Sequence, residues 1–403
     1  MTSMKAHEPS QPFRLVFLAI TGVVWLFGAW LATHRSEQPQ ILGSYSQEYF
    51  LLICVITGCA LALSGFYFSP VLDYLYRHRL PITTTGLSFV TVLFLSEMLV
   101  RILDPLGISY YHWSRIYQLD RIADQLLVFR HRSSWQTEYE DVPVRFNEFG
   151  LRGAPIPPKS KEEFRILVLG DSVTLGLGVK EEDIYPTKLG GLLAQQWHRP
   201  VRTINAGVGG YNTVQEVRYL IKEGMAFEPD MVILLYVMND VEVNEGLYDP
   251  WSTVSLRGKS PPEILAILVK KSWIYRLTHH VLTHRNAGQD SSGSLESARQ
   301  SQGWKASMEA LKQAAAVCEA QQIPLITFFF RWEQNAYGDA LLEDVRQAEF
   351  PGNVIDIKDW FRGKSLAQYF KSEVDSHPNA RGHQILAEEM AHAIEPALIG
   401  RSH

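Results

Sequence analysis

Long uncharged runs are confined to the amino-terminal quarter of the chain. Charged residues are absent from Leu15 to Ala32, from Tyr49 to Leu72 and from Leu80 to Ser96. At a rise of 1.5 Å per residue, helices of these lengths reach or nearly reach across a hydrocarbon core of about 30 Å. The pattern predicts three transmembrane helices, at about 13–33, 50–72 and 80–100, within a membrane region that comprises residues 1–104.

Lysine and arginine in the short flanks of these runs predict their orientation. Lys5 and Arg14 precede the first run, Arg35 alone follows it, and Arg77 and Arg79 separate the second run from the third. Because cytoplasmic flanks carry the excess of these residues, the amino terminus is predicted inside and everything after about residue 105 outside. The expected localisation is an integral membrane protein with an extracytoplasmic domain, on the periplasmic or cell-surface side.

Beyond the membrane region, short apolar runs alternate with helical patterns. Buried strands are predicted at Ile166–Leu169, Val232–Val237 and Pro324–Phe330, and helices at Trp304–Gln321 and from Ala380 onward. The order strand–helix–strand implies a parallel sheet covered by helices on both faces. The sequence therefore predicts a connecting region at 105–164 and an α/β domain at 165–397, with an insertion at about 241–303.

Two segments allow more than one interpretation. The aromatic stretch Ile108–Trp113 suits either a membrane–water interface or ordinary packing. In the insertion, an amphipathic helix is predicted from Glu263 to Val281. It is interpreted as a lid over the substrate pocket, as a membrane-contacting surface or as a helix packed on the core.

Candidate chemistry lies where predicted strands end. Ser172 follows the first strand, a glycine-rich turn at 205–210 follows a strand-like segment, and Asn239 follows another strand. Ligands of open α/β sheets bind at the carboxyl ends of strands. Ser172 is thus a candidate nucleophile, although a helix cap at Ser172 or Asp171 is the alternative. A loop before the last helix adds Asp375 and His377, and histidine is the natural base for a serine near neutral pH.

These residues resemble, in order, the sequence blocks of the SGNH hydrolases, also called GDSL esterases and lipases, over roughly residues 165–395. The resemblance implies that Ser172 is the nucleophile and His377 the general base. It also implies an oxyanion hole made by the Ser172 N–H, the Gly210 N–H and the Asn239 side-chain amide, with Gly209 as the less favoured backbone donor.

Two positions depart from the family pattern. Val237 stands where the third block has glycine, and Asp375 precedes His377 by two residues, where the family spaces the pair by three. A loop can present a carboxylate from either offset, so Asp375 is predicted to orient the imidazole. Glu373 is its local competitor.

The resemblance implies a three-layer α/β/α, flavodoxin-like domain that acts as a membrane-anchored serine esterase. Its substrate would be an ester of a lipid or an acylated glycan. One alternative is an acyltransferase or accessory protein in O-acylation of surface polysaccharide, which would need a membrane acyl-transfer partner. The other alternative is a catalytically silent binding module.

Composition narrows the range of partners. The formal net charge is −5 and no basic tract occurs, which argues against a nucleic-acid partner. The three cysteines, Cys54, Cys59 and Cys318, form no C-x-x-C pair, so neither a disulfide framework nor a zinc site is indicated. The chemistry predicted above requires no metal and no cofactor.

Overall fold

A computed structural model describes residues 77–242, 272–287, 295–331, 336–347, 353–361, 366–372 and 374–399, with isolated positions before residue 77. The chain divides into two compact units, Met1–Ser96 and Glu97–His403. The first two predicted membrane spans, the first part of the predicted insertion helix and Glu373 lie outside the described residues.

The described part of the chain begins with a long apolar helix, α1 (Arg79–Leu103). Its most apolar window has a mean hydropathy of 1.8, and it is the one described helix that is long and apolar enough to span a membrane by length and composition. The third predicted span falls within it. Near its end, Glu97 and Arg101 form the i,i+4 ion pair that their spacing predicts, with Nη2 at 2.9 Å from Oε1.

A small helical and β segment leads into the main domain. Helix α2 (Tyr110–Leu119) is followed by two antiparallel hairpins. The first pairs β1 (Arg121–Asp124) with β2 (Val128–His131), and the second pairs β3 (Trp135–Tyr139) with β4 (Val142–Phe146). A buried aromatic cluster that includes Tyr117, Tyr139 and Phe146 packs this segment against Leu175 and Leu177, directly after the candidate nucleophile.

The main domain is built on a five-stranded parallel sheet. Its strands are β5 (Phe164–Gly170), β6 (Val201–Gly207), β7 (Met231–Tyr236), β8 (Leu325–Phe329) and β9 (Asn353–Asp356), arranged in the order β6-β5-β7-β8-β9. All the pairings are parallel. The continuous apolar runs read as buried strands from the sequence are confirmed, since all of β7 and β8 is buried.

Helices cover both faces of the sheet. The helices that follow β5 in the chain are α3 (Ser172–Leu175), α4 (Tyr185–Trp197), α5 (Thr213–Lys222), α6 (Trp273–Ala287), α7 (Leu295–Gln300), α8 (Gln302–Ala320), α9 (Ala336–Gln347) and α10 (Ala380–Ile399). One core cluster joins the sheet to α5, α8 and α9, and a second joins it to α4 and α10. The predicted three-layer α/β/α fold is confirmed, and the strand order is that of flavodoxin-like sheets.

The amino-terminal end of the insertion helix, α6, is bonded to Glu97 of α1. Glu97 accepts hydrogen bonds from the N–H groups of Trp273 and Ile274, at 2.9 and 3.1 Å, and from the Ser272 hydroxyl at 3.0 Å. A carboxylate at this end of α6 satisfies N–H groups that have no partner within the helix. The described helix ends at Ala287, beyond the predicted end at Val281.

Candidate active site

The turn after β5 presents Ser172. Gly170 ends the strand at φ 155°, and a Cβ at this position would clash with the Thr174 side chain. Asp171 caps α3, because its Oδ1 accepts the Val173 N–H at 2.9 Å. The cap of the helix is therefore Asp171, which leaves the Ser172 hydroxyl for other contacts.

Three side chains that the sequence singled out form one hydrogen-bonded series. The Ser172 Oγ lies 2.7 Å from the His377 Nε2, and the His377 Nδ1 lies 2.5 Å from the Asp375 Oδ1. The same Asp375 oxygen accepts the backbone N–H of His377 at 3.0 Å. The shortened spacing between the aspartate and the histidine thus still brings the carboxylate to the far nitrogen of the ring.

A lysine adds charge to the far side of this series. The Lys371 Nζ lies 3.6 Å from the Asp375 Oδ2 and 2.7 Å from the Glu140 Oε2, which lies in the turn between β3 and β4. Burial acts to raise the pKa of Asp375, but His377 and Lys371 hold this pKa below its usual range. Burial acts to lower the pKa of His377, but the Asp375 carboxylate outweighs it and raises this pKa.

The other predicted residues lie around Ser172. Gly210, at φ 80°, follows β6, and Asn239 lies in the short turn after β7. The Asn239 Nδ2 donates to the Asp171 Oδ2 at 3.3 Å. Because a side-chain amide carries two hydrogens, this bond fixes the amide while the second hydrogen is left for another acceptor.

These residues share one pocket of about 340 Å³. Ser172, Gly209, Gly210, Asn239 and His377 line it. The rest of its wall combines polar and aromatic side chains with apolar ones. The first group is Tyr110, Ser114, Tyr117, Gln118, Arg121 and Glu242, and the second is Val173, Leu177, Val237 and Met238. In the described part of the chain, no group of three or more histidine, cysteine, aspartate or glutamate residues is arranged to hold a metal ion.

Comparison with known families identifies the chain. Residues 168–385, more than half of the sequence, match the sequence profile of the GDSL-like lipase/acylhydrolase family. The chain belongs to this family. It is an SGNH-type ester hydrolase, as the resemblance predicted. Among curated proteins, no sequence matches it significantly.

Solved structures similar to this acylhydrolase include esterases, all of low sequence identity. A two-domain esterase active on acetylated mannans is 15% identical, with a TM-score of 0.37 over 58% of this chain, which spans about half (50%) of that protein. A catalytic mutant of Axe2, an acetylxylan esterase from Geobacillus stearothermophilus, is 17% identical, with a TM-score of 0.35 over 56% of this chain and 91% of that one. TesA is 15% identical, with a TM-score of 0.37 over 58% and 99% of the two chains.

Several pocket residues of this acylhydrolase were not anticipated from its sequence. The Tyr110 ring lies 5.9 Å from the His377 ring, so this part of the aromatic stretch packs at the site. Tyr117 and Arg121, which also line the pocket, were not singled out either. They lie outside the sequence blocks that define the family, and only long-range packing brings them to the pocket. Tyr117 lies near the end of α2 and Arg121 at the start of β1, and the local sequence pattern of neither element indicates this contact.

Proposed function

We propose that the chain hydrolyses carboxylic esters through Ser172, His377 and Asp375. The Ser172 Oγ attacks the ester carbonyl carbon while the His377 Nε2 takes the hydroxyl proton and then gives it to the departing alkoxide. Water repeats the sequence on the acyl-serine and releases the acid. The observation that carries the proposal is the unbroken series of hydrogen bonds from Asp375 through His377 to Ser172.

The negative charge that develops on the carbonyl oxygen needs donors that are already in place. We assign this role to the N–H groups of Ser172 and Gly210 and to the Asn239 amide, which meet in the same pocket. The bond from Asn239 to Asp171 supports the assignment, because it holds the amide in one orientation before substrate binds.

For the substrate, we favour a short acyl group on a hydrophilic alcohol, such as an acetylated glycan, over a long-chain lipid ester. The pocket volume of about 340 Å³ is near the lower end for small-molecule sites. Ser114, Gln118, Arg121 and Glu242 in its wall can form hydrogen bonds with the hydroxyl groups of an alcohol. The apolar part of the wall, Val173, Leu177, Val237 and Met238, is small enough to suit a short acyl group. Transfer of the acyl group to a second alcohol would use the same residues, with the alcohol in place of water.

We further propose that residues 1–104 anchor the enzyme in a membrane by three helices, with the catalytic domain, residues 165–397, on the extracytoplasmic side. The uncharged runs and the distribution of lysine and arginine support this topology. So does α1, whose large apolar side chains, including Leu87, Val90 and Phe94, are exposed.

Rates on p-nitrophenyl esters of increasing acyl length test the activity and the substrate class together. We expect kcat/KM to be highest for the acetate and to fall with chain length, and Ser172→Ala to abolish turnover. Rates that rise toward long chains would contradict the short-acyl assignment. Wild-type turnover in Ser172→Ala would remove Ser172 as the nucleophile. Adding an oligosaccharide acceptor and analysing the products separates hydrolysis from transfer.

A further inference from the structure

The carbonyl oxygen of Gly209 accepts hydrogen bonds from two residues that precede the part of the chain matched by the family. The Arg121 Nη1 donates to the Gly209 oxygen at 3.0 Å, and the Tyr117 hydroxyl donates to it at 3.3 Å. Both side chains are buried. They belong to α2 and β1, well before residue 168, where the family match begins. The lead-in segment thus contacts the backbone of the predicted oxyanion hole.

Holding that carbonyl fixes the neighbouring N–H. The Gly209 C=O and the Gly210 N–H belong to one planar peptide, and in a trans peptide the two groups point in opposite directions. The described backbone contains no cis peptide. Between two glycines such a peptide rotates at little steric cost, so the glycines alone do not select one orientation. The hydrogen bonds from Arg121 and Tyr117 select the orientation in which the N–H points away from them.

The two donors are themselves held in place. The guanidinium of Arg121 lies over the rings of Phe129 and Tyr117, 4.0 and 5.4 Å from their centroids. The Tyr117 hydroxyl lies 2.9 Å from the His131 Nε2. Burial, reinforced by the charge of Arg121, lowers the pKa of His131 to about 3, so this ring is neutral. In the neutral tautomer that carries its hydrogen on Nε2, His131 donates to the Tyr117 oxygen and leaves the hydroxyl hydrogen of Tyr117 for Gly209.

The same packing explains the glycine at position 209. A Cβ there would lie 2.6 Å from the ring and the hydroxyl of Tyr117, which is closer than side chains tolerate. The charge of Arg121 has a second effect. A carbonyl that accepts a hydrogen bond from a charged donor polarises its peptide, which makes the N–H of that peptide a stronger hydrogen-bond donor.

We propose that Arg121 and Tyr117 are positioning residues that orient and polarise the Gly209–Gly210 peptide, so that these two residues of the lead-in segment are part of the active site. The inference rests on the proposed function, in which the Gly210 N–H stabilises the oxyanion. It assigns to this segment a role in the rate of the chemical step rather than in binding or stability alone.

The test compares variants of the full chain on p-nitrophenyl acetate, with active sites counted by the amplitude of fluorophosphonate labelling. Loss of one oxyanion donor costs about 10²–10³ in rate, and a misoriented donor should cost less. We expect kcat per active site to fall roughly 10- to 100-fold in Arg121→Met and about 3- to 10-fold in Tyr117→Phe, with KM nearly unchanged. Arg121→Lys should recover part of the loss. Arg130→Met, in the same hairpin but bonded to Glu223, is the control with unchanged kcat.

A thionoester of the same alcohol gives a readout that a purely structural role would not change. Sulfur accepts hydrogen bonds weakly, so an oxyanion hole prefers the oxygen ester. We expect this preference to shrink in Arg121→Met and Tyr117→Phe together with kcat. Unchanged kcat in both variants, a rise in KM alone, or a loss only in the number of labelled sites would each overturn the inference. If the wild-type protein shows no ester turnover, or turnover that persists in Ser172→Ala, the proposed function itself is refuted.

Discussion

Replacing Asp375 by asparagine isolates the contribution of one carboxylate. In the structure, the Asp375 Oδ1 faces two donors, the imidazole Nδ1 at 2.5 Å and the His377 N–H at 3.0 Å, while the Oδ2 lies 3.6 Å from the Lys371 Nζ. If the side-chain oxygen of the asparagine accepts from the His377 ring, its NH₂ group faces the Lys371 ammonium. The opposite orientation places an NH₂ against both donors. Either arrangement weakens stabilisation of the imidazolium that forms during reaction.

The magnitude follows from the loss of charge and of tautomer control. Removal of the acid of such a triad costs up to about 10⁴ in rate, and we expect a fall in kcat of about 10²–10⁴ in Asp375→Asn, or roughly 2.7–5.4 kcal/mol. The carboxylate raises the pKa of His377. Its loss should therefore move the acid limb of the kcat/KM profile to lower pH, since the base must be neutral to act.

The assay is the pH–rate profile of Asp375→Asn on an aryl acetate, with His377→Ala as the reference for complete loss. Glu373→Gln is the matched control and should change little. Near-normal activity in Asp375→Asn combined with a large loss in Glu373→Gln would transfer the orienting role to Glu373. Little change in both variants would show that the acid does not lie in this loop.

Three further predictions concern charge and topology. Lys371→Met should shift the acid limb of the kcat/KM profile to higher pH, because the lysine lowers the pKa of His377. Burial, and after it the nearby acids, raise the pKa values of the Glu216 and Asp240 carboxyls well above the ordinary range, so folding favours their protonated forms and their contribution to the free energy of unfolding falls as pH rises above about 4. Denaturant unfolding should then show that the free energy of unfolding of Glu216→Gln increases relative to that of wild type by up to about 1.4 kcal/mol per pH unit as pH rises. A difference between the two proteins that does not change with pH would refute this. A reporter active only outside the cytoplasm should give signal when fused at the carboxyl terminus and none when fused after residue 78, and the reverse pattern would overturn the topology.

The sheet was predictable because its central strands are buried on both faces. Runs such as Val232–Val237 are apolar at every position, which distinguishes them from half-buried strands without knowledge of their partners. Helix ends were less well defined. Helix α8 begins at Gln302 rather than Trp304, because the Ser301 hydroxyl accepts the Trp304 N–H and caps the helix earlier than its apolar pattern begins.

The candidate site was predictable only where chemistry and local sequence coincide. Ser172, Asn239 and His377 stand at strand ends or in short motifs, so the sequence indicates them directly. Arg121 contacts Gly209, and Glu140 contacts Lys371, although each pair is far apart in sequence. Both contacts depend on how the two hairpins pack against the main domain. Nothing in the local pattern of either hairpin specifies such a contact.

The most direct test of the central claim is the site of covalent modification by a fluorophosphonate. Mass spectrometry of digested wild-type protein should find one adduct, on the peptide that carries Ser172, and neither Ser172→Ala nor His377→Ala should be labelled at the wild-type rate. An adduct on another residue, or equal labelling of wild type and Ser172→Ala, would contradict the assignment of Ser172 as the nucleophile.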